Sequence, residues 1–78
     1  GIDIGEGSEN IYIVSNLIYH AWDKGISVGQ SSSVILEKNL VVGSNHGIAV
    51  KDNSFAYVIN NTFFNTNIIC VILYIFEL

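Results

Sequence analysis

Two stretches of the sequence share one pattern: "DKGISVGQSSS" at residues 23–33 and "NHGIAVKDNS" at residues 45–54. In each stretch a glycine precedes a short apolar alternation, and polar turn residues follow it. A third version, "GIDIGEGS", occupies residues 1–8. The three glycines, Gly1, Gly25 and Gly47, are 24 and 22 residues apart. Repetition at this spacing is typical of solenoid proteins, in which each copy is one structural unit that packs on the next.

Each copy also contains a serine seven residues after its glycine, and an asparagine seven or eight residues after that serine. The copies differ by single residues in the turns. The first copy has one extra residue after Ser8 and another between Asn16 and Gly25. A solenoid accommodates such insertions in its turns. The repeated polar positions are Ser8, Ser32 and Ser54, and Asn16, Asn39 and Asn61.

Apolar residues alternate with a period of two inside each copy, which predicts strands rather than helices. The pattern predicts strands near residues 2–4, 11–14, 26–28, 34–37, 48–50 and 56–59, and a third inward position in each copy at Ile18, Val41 and Phe63. Such short strands are stable when equivalent strands of successive copies stack about 4.8 Å apart in parallel sheets. We therefore predict an all-β solenoid of about three coils over residues 1–67.

The segments "ILEKNLVVGSNHGIAV" at residues 35–50 and "AYVINNTFFNTN" at residues 56–67 resemble the repeats of right-handed parallel β-helix proteins, including pectate-lyase-like and other sugar-hydrolysing members. The resemblance covers residues 1–67 and implies a right-handed coil. It identifies the repeated asparagines with the family's turn asparagine. We expect these asparagines to adopt a left-handed backbone and to stack as an amide ladder, and the repeated glycines to form tight corners.

The last stretch, "IICVILYIFEL" at residues 68–78, departs from the pattern because Ile68 stands where a glycine is expected. Only Ile69 and Val71 fit a fourth coil. The nine consecutive apolar residues are too few for a complete membrane span, which needs about 20. We predict that this segment is a partial fourth coil or a cap on the stack, and that further coils belong to a longer chain.

Composition narrows the classes of partner. Half of the 78 residues are apolar and 13% are charged, which predicts a single folded domain rather than disorder. The net charge is −4, with three lysines and no arginine, so we expect no nucleic-acid partner. Cys70 is the only cysteine, which excludes an internal disulfide and a multi-cysteine zinc site. We predict no metal and no cofactor.

Two groups of side chains are candidate binding residues. Asp23 and Lys24 on one coil should lie over Asn45 and His46 on the next, which brings together an acid, an amine and an imidazole. Lyases of the similar family use a Lys or Arg base with acidic calcium ligands, but this chain lacks arginine and clustered acids, so no catalytic residue is predicted. Aromatic rings form the other group. The predicted ligand-binding residues are Tyr12, Tyr57, Trp22, Asp23, Lys24 and His46.

Tyr12 and Tyr57 should share an outward column, with Ile35 between them, while Trp22 lies in the longest turn. Aromatic faces stack on sugar rings, so polysaccharide contact is one interpretation, and packing against another segment or subunit is the other. Three functional hypotheses follow. The chain is a non-catalytic part of an extracellular or cell-surface β-helix protein with a sugar-contacting face, part of a polysaccharide lyase or glycoside hydrolase whose catalytic coils lie elsewhere, or a structural spacer.

Overall fold

The computed structural model describes residues 1–66, and these contain nine short strands and no helix. The predicted strands are confirmed, although the second and third coils begin their first strands two residues earlier, and their second strands one residue earlier, than the apolar alternation predicts. The predicted coil or cap at residues 68–78 lies outside the described residues. The strands are β1 (Ile2–Ile4), β2 (Ile11–Val14), β3 (Leu17–Tyr19), β4 (Lys24–Val28), β5 (Ser33–Glu37), β6 (Leu40–Val42), β7 (His46–Val50), β8 (Phe55–Ile59) and β9 (Thr62–Phe64).

Every coil contributes one strand to each of three parallel sheets. The first sheet has the order β1-β4-β7, the second β2-β5-β8 and the third β3-β6-β9. Equivalent residues of successive copies are in register, as in Ile2, Ile26 and Ile48 of the first sheet. The prediction of an all-β parallel β-helix with three coils is therefore confirmed.

The core consists of the inward columns of the three sheets. Burial is most complete in the middle coil, because neighbours cover it on both sides. In the column that joins the second strands, Leu36 is fully buried and Ile13 is 6% exposed, whereas Val58 in the third coil is 38% exposed. The most deeply buried apolar side chains are Ile26, Val28, Leu36, Val41, Ile48 and Val50.

The repeated asparagines form the predicted ladder between coils. Asn39 Oδ1 accepts hydrogen bonds from the backbone N of Asn16 at 3.0 Å and from its Nδ2 at 3.1 Å. Asn39 Nδ2 donates to the carbonyl oxygen of Ile13 and to Asn61 Oδ1, both at 2.9 Å. Because Asn39 is only 1% exposed, these bonds satisfy an amide that would otherwise be buried without partners.

The prediction that these asparagines adopt a left-handed backbone is wrong by one position. The left-handed φ angles belong to the preceding residues, with 57° at Ser15, 55° at Lys38 and 53° at Asn60, and not to the ladder asparagines themselves. The chain thus turns the corner just before each asparagine. The strand of the third sheet begins directly after the asparagine. The backbone N–H and the side-chain amide of the asparagine both face the next coil, as in the bonds from Asn16 to Asn39.

The expected role of the repeated glycines is also wrong. Gly25 and Gly47 lie inside β4 and β7, and neither has a positive φ. A Cβ on Gly25 would overlap Val41 Cγ1 and lie 2.7 Å from the carbonyl oxygen of Gly47. A Cβ on Gly47 would lie 2.6 Å from Cε1 of Phe63. Glycine is required here because the third sheet packs closely against the first, and not because the chain turns.

The repeated serines form a second ladder, which the sequence analysis did not predict. The backbone N of Ser8 donates to Ser32 Oγ at 3.2 Å, and the backbone N of Ser32 donates to Ser54 Oγ at 3.0 Å. Ser32 and Ser54 are buried. All three repeated positions therefore have structural roles, since the asparagines and serines join successive coils and the glycines allow the sheets to pack closely.

Replacement of Asn39 by alanine should be more destabilising than replacement of the exposed Asn65. Asn39→Ala leaves several buried donors and acceptors without partners and should lower the free energy of unfolding by about 2–4 kcal/mol. Asn65→Ala loses only a residue that tolerates a left-handed backbone, at φ 52°, and should cost about 1 kcal/mol. Chemical denaturation of both variants measures the difference. Equal losses of unfolding free energy would show that the ladder bonds do not stabilise the fold.

Two glycines in neighbouring environments test the close packing of the sheets. Gly25→Ala should lower the free energy of unfolding by about 3 kcal/mol, since its Cβ meets a backbone oxygen that cannot move aside. Gly29→Ala is the matched control. Its Cβ would lie 3.2 Å from Asp52 Oδ2 and 3.4 Å from Lys51 Cε, both in flexible side chains, so the cost should stay below about 1 kcal/mol. A tolerated Gly25→Ala variant would contradict this packing.

Candidate functional site

A one-residue insertion in the first coil exposes Trp22. The turn between the third and first sheets consists of residues 20–23 in the first coil, but only of residues 43–45 in the second. Lys24 and His46 pair in register directly after these turns. Ala21 and Ser44 are both buried, whereas Trp22 is 95% exposed. The additional residue is therefore accommodated by placing the indole outside the coil.

Trp22 borders a wide groove on the surface of the coil stack. Its volume is about 760 Å³, and it is lined by His20, Trp22, Asp23, Gly43 and Asn45. His20 and Gly43 occupy equivalent corners of the first and second coils, and both have a left-handed backbone, with φ of 54° and 80°. A Cβ on Gly43 would lie 3.1 Å from Cδ2 of His20, so glycine leaves room for that imidazole. The groove combines one exposed aromatic face with several polar groups.

The predicted convergence of Asp23, Lys24 and His46 is observed. Asp23 Oδ2 accepts a hydrogen bond from Lys24 Nζ at 2.5 Å, and Asp23 Oδ1 lies 3.4 Å from His46 Nδ1. Asn45 Nδ2 lies 3.3 Å from the same imidazole nitrogen. The hydrogen bond from Lys24 is the main cause that lowers the pKa of the Asp23 carboxyl below its ordinary value. Asp23 is thus an ionised carboxylate that joins side chains of two coils.

Tyr12 and Tyr57 line a second, smaller cleft on the outer face of the second sheet. They are in register on either side of Ile35, as predicted. The cleft has a volume of about 160 Å³ and also includes Asn10 and Ser33. The ring of Phe55 meets that of Tyr57 edge to face, with centroids 5.0 Å apart, and so limits its orientation.

The predicted binding residues therefore fall into two groups on different sheets. Trp22, Asp23, Lys24 and His46 cluster where the first sheet begins, and neither aromatic cleft contains both Trp22 and a tyrosine of the second sheet. The predicted binding residues did not include His20, Gly43 and Asn45 of the groove, or Asn10 and Ser33 of the smaller cleft. The insertion beside Trp22 was a visible signal for the groove, whereas nothing in the repeat pattern marks Asn10 or Ser33.

Other outward positions offer less to a ligand. Asp3, Ser27 and Ala49 form the outer column of the first sheet, but Ser27 and Ala49 are buried. No group of three or more His, Cys, Asp or Glu side chains within residues 1–66 is arranged to hold a metal ion. In the same part of the chain, no helix is long and apolar enough to cross a membrane.

The Asp23 interactions predict a dependence of stability on pH. Because its folded-state pKa is lowered, the stabilisation is present above the ordinary aspartate value of 3.8 and is lost as pH falls below it. Asp23→Asn removes this contribution. Its melting temperature should therefore be slightly lower than that of the wild type at pH 6 and should fall less steeply below pH 4. Melting curves recorded from pH 7 to pH 2 measure this, and parallel curves for the two proteins would contradict the assignment.

Comparison with known proteins agrees with this architecture. A family model described as a right handed beta helix region matches residues 1–75. No curated protein and no solved structure matches the chain. The family match covers nearly the whole chain and agrees with the three stacked parallel sheets. The chain therefore belongs to the right-handed β-helix family.

Proposed function

We propose that this chain is a non-catalytic section of an extracellular or cell-surface β-helix protein and that it contacts an extended polysaccharide. The observation that supports this proposal most directly is Trp22, which is 95% exposed at the edge of a groove of about 760 Å³. A large apolar ring held almost entirely in water gains little from folding. Its flat face is therefore open to contact with another molecule.

A sugar ring fits the chemistry of this groove. The apolar face of a pyranose can stack on the indole, while its hydroxyl groups need donors and acceptors nearby. Asp23 and Asn45 supply such groups in the lining of the groove. The carboxylate of Asp23 is held in place by Lys24 and His46, so a hydroxyl group would meet an acceptor whose position is already fixed.

The cleft of Tyr12 and Tyr57 provides a second contact of the same type. Both rings are more than half exposed, and Asn10 and Ser33 lie beside them. Equivalent residues two coils apart in parallel sheets are separated by about 9.6 Å, which is close to the length of two sugar residues in an extended chain. The two rings could therefore stack on every second sugar of one polysaccharide chain that lies on the outer face of the second sheet.

The pairing of Lys24 with Asp23 supports a non-catalytic role for this section. An elimination reaction needs a free amine or guanidine as base, but Lys24 Nζ is bound to Asp23. Hydrolysis of a glycosidic bond needs a pair of carboxylates, but Glu6 and Asp52, in equivalent turns of the first and third coils, have Gln30 between them. Gln30 Oε1 accepts a hydrogen bond from the backbone N of Glu6 at 2.8 Å. A lyase or hydrolase would therefore need catalytic residues from coils beyond those described here.

A structural spacer is the second candidate function. It is favoured by the roles of the repeated residues, since the asparagines and serines form ladders and the glycines allow close packing. All of these repeated positions already have structural roles, so a ligand would have to contact other residues. A spacer would have no affinity for any glycan, so binding measurements distinguish the two candidates.

Replacement of Trp22 tests the proposed contact. Trp22→Ala should weaken binding to an extended glycan about 5-fold, which corresponds to the loss of about 1 kcal/mol from one stacking contact. Phe64→Ala is the matched control, because Phe64 is also an exposed aromatic residue but lines neither aromatic cleft. Affinity electrophoresis of the 78-residue chain in gels that contain soluble polysaccharides measures both variants.

The same experiment includes an assay for turnover. Incubation of the wild-type chain with each bound polysaccharide should release no shorter product. Cleavage that disappears in Lys24→Ala would overturn the non-catalytic assignment. Equal mobility of wild type, Trp22→Ala and Phe64→Ala in every gel would favour the spacer.

A further inference from the structure

We infer that Asn60 is an acceptor site for an N-linked oligosaccharide. In the segment Asn60-Asn61-Thr62 an asparagine is followed two positions later by threonine, and the residue between them is not proline. No other asparagine of the 78 residues has serine or threonine at that spacing. This is the pattern that N-glycosylation requires. The inference rests on the extracellular or cell-surface location in the proposed function, because these sugars are attached in the secretory pathway.

The third coil carries this pattern because it differs from the repeat at two positions. Asn60 occupies the left-handed corner at which the other coils have serine and lysine. A left-handed backbone favours asparagine, so the corner alone explains this residue. It does not explain Thr62, which lies in an outward column that contains Leu17 and Leu40 in the other two coils. Both differences are needed to create the acceptor pattern.

The side chains of Asn60 and Thr62 are available to a modifying enzyme. Both residues are exposed, and neither side chain takes part in a hydrogen bond within the described part of the chain. Asn61 between them is bound on both sides. Its Oδ1 accepts a hydrogen bond from Asn39 Nδ2 at 2.9 Å, and its Nδ2 donates to the carbonyl oxygen of Leu36 at 2.8 Å. The ladder therefore holds the middle residue of the pattern, while the acceptor amide and the hydroxyl group remain in solvent.

The surroundings of the acceptor leave room for a bulky oligosaccharide. Phe64, the next outward residue of the same strand, is 61% exposed, and Leu40 beside Thr62 is 39% exposed. Asn60 lies at the corner between the second and third sheets, whereas Trp22 lies at the corner between the third and first sheets. The acceptor amide is therefore outside the groove that the proposed function uses.

The reaction joins Asn60 Nδ2 to C1 of the first sugar of a lipid-linked oligosaccharide diphosphate. The new N–C1 bond forms as the bond from C1 to the phosphate oxygen breaks, and the lipid diphosphate leaves with the electron pair of that bond. The amide nitrogen loses one proton to a base of the transferase. The reaction needs no oxidant or reductant, and this chain supplies only the acceptor.

Secretion of the 78-residue chain from cultured animal cells tests the site. A second acceptor segment, Asn-Gly-Thr, is placed between the secretion signal and Gly1, so that every variant carries an internal control for the transferase. Mass spectrometry before and after treatment with an amidase that releases N-linked glycans counts the attached oligosaccharides. We expect two on the wild type. The amidase leaves an aspartate at each acceptor, and peptide mapping should find one of them at position 60.

Three variants separate the acceptor from the corner conformation. Thr62→Leu restores the leucine of the other coils, and Asn60→Gln keeps an amide at the corner. Each of these two variants should carry only the control oligosaccharide. Thr62→Ser is the matched control, because it preserves the pattern and should still be modified at Asn60. Cell extracts and medium are both measured, so a variant that is retained because it folds poorly still reports its modification.

Two results would overturn the inference. One is a wild-type chain that carries only the control oligosaccharide, and the other is a second oligosaccharide that persists in Thr62→Leu. Either result leaves the proposed function standing, because the gel measurements with Trp22→Ala do not involve Asn60. Conversely, the absence of any binding in those gels would refute the polysaccharide contact without affecting the modification of Asn60.

Discussion

The fold depends on hydrogen bonds that run between coils rather than within them. Strands of three to five residues have no partner inside their own coil, so the backbone of each coil is satisfied by the equivalent strands of its neighbours. The asparagine and serine ladders extend the same principle to side chains at the corners. Asn39 joins three coils, because it bonds to Asn16, Ile13 and Asn61. One coil alone would leave these groups unpaired, which is why the sequence repeats.

The strict repetition also explains where a binding site can arise. Positions that repeat are occupied by the ladders and by glycines that permit close packing of the sheets, so an added function has to use residues between them. The first coil departs from the repeat in this way, because Trp22 is inserted into a turn whose buried and paired positions are otherwise preserved. Asp23, one residue later, connects that turn to the next coil through His46. The inserted residue thus forms one side of the groove, and contacts between repeated coils hold that turn in place.

The strand positions, their register and the ladder of asparagines could be predicted from the sequence, because alternation and spacing report directly on which residues face inward and stack. The backbone details could not. A corner asparagine suggests a left-handed φ, but in two coils the left-handed residue is Ser15 or Lys38, whose side chains carry no such signal. In the third coil it is Asn60, which precedes the ladder asparagine. The need for glycine at Gly25 arises from Val41 and Gly47, which are distant in sequence. The pairing of Asp23 with Lys24 and His46 was visible from the copies, whereas the separation of Trp22 from Tyr12 required the three-dimensional arrangement of the sheets.

Hydrogen exchange of asparagine side-chain amides tests most directly whether the ladder joins the coils. In one NMR spectrum, the amide protons of Asn39 can be compared with those of Asn53, which lies exposed in a turn. If the ladder is a buried connection between coils, the Asn39 side-chain protons should exchange as slowly as the backbone amides of the core strands and far more slowly than those of Asn53. Similar rapid exchange at Asn39 and Asn53, with the core strands still protected, would contradict the account.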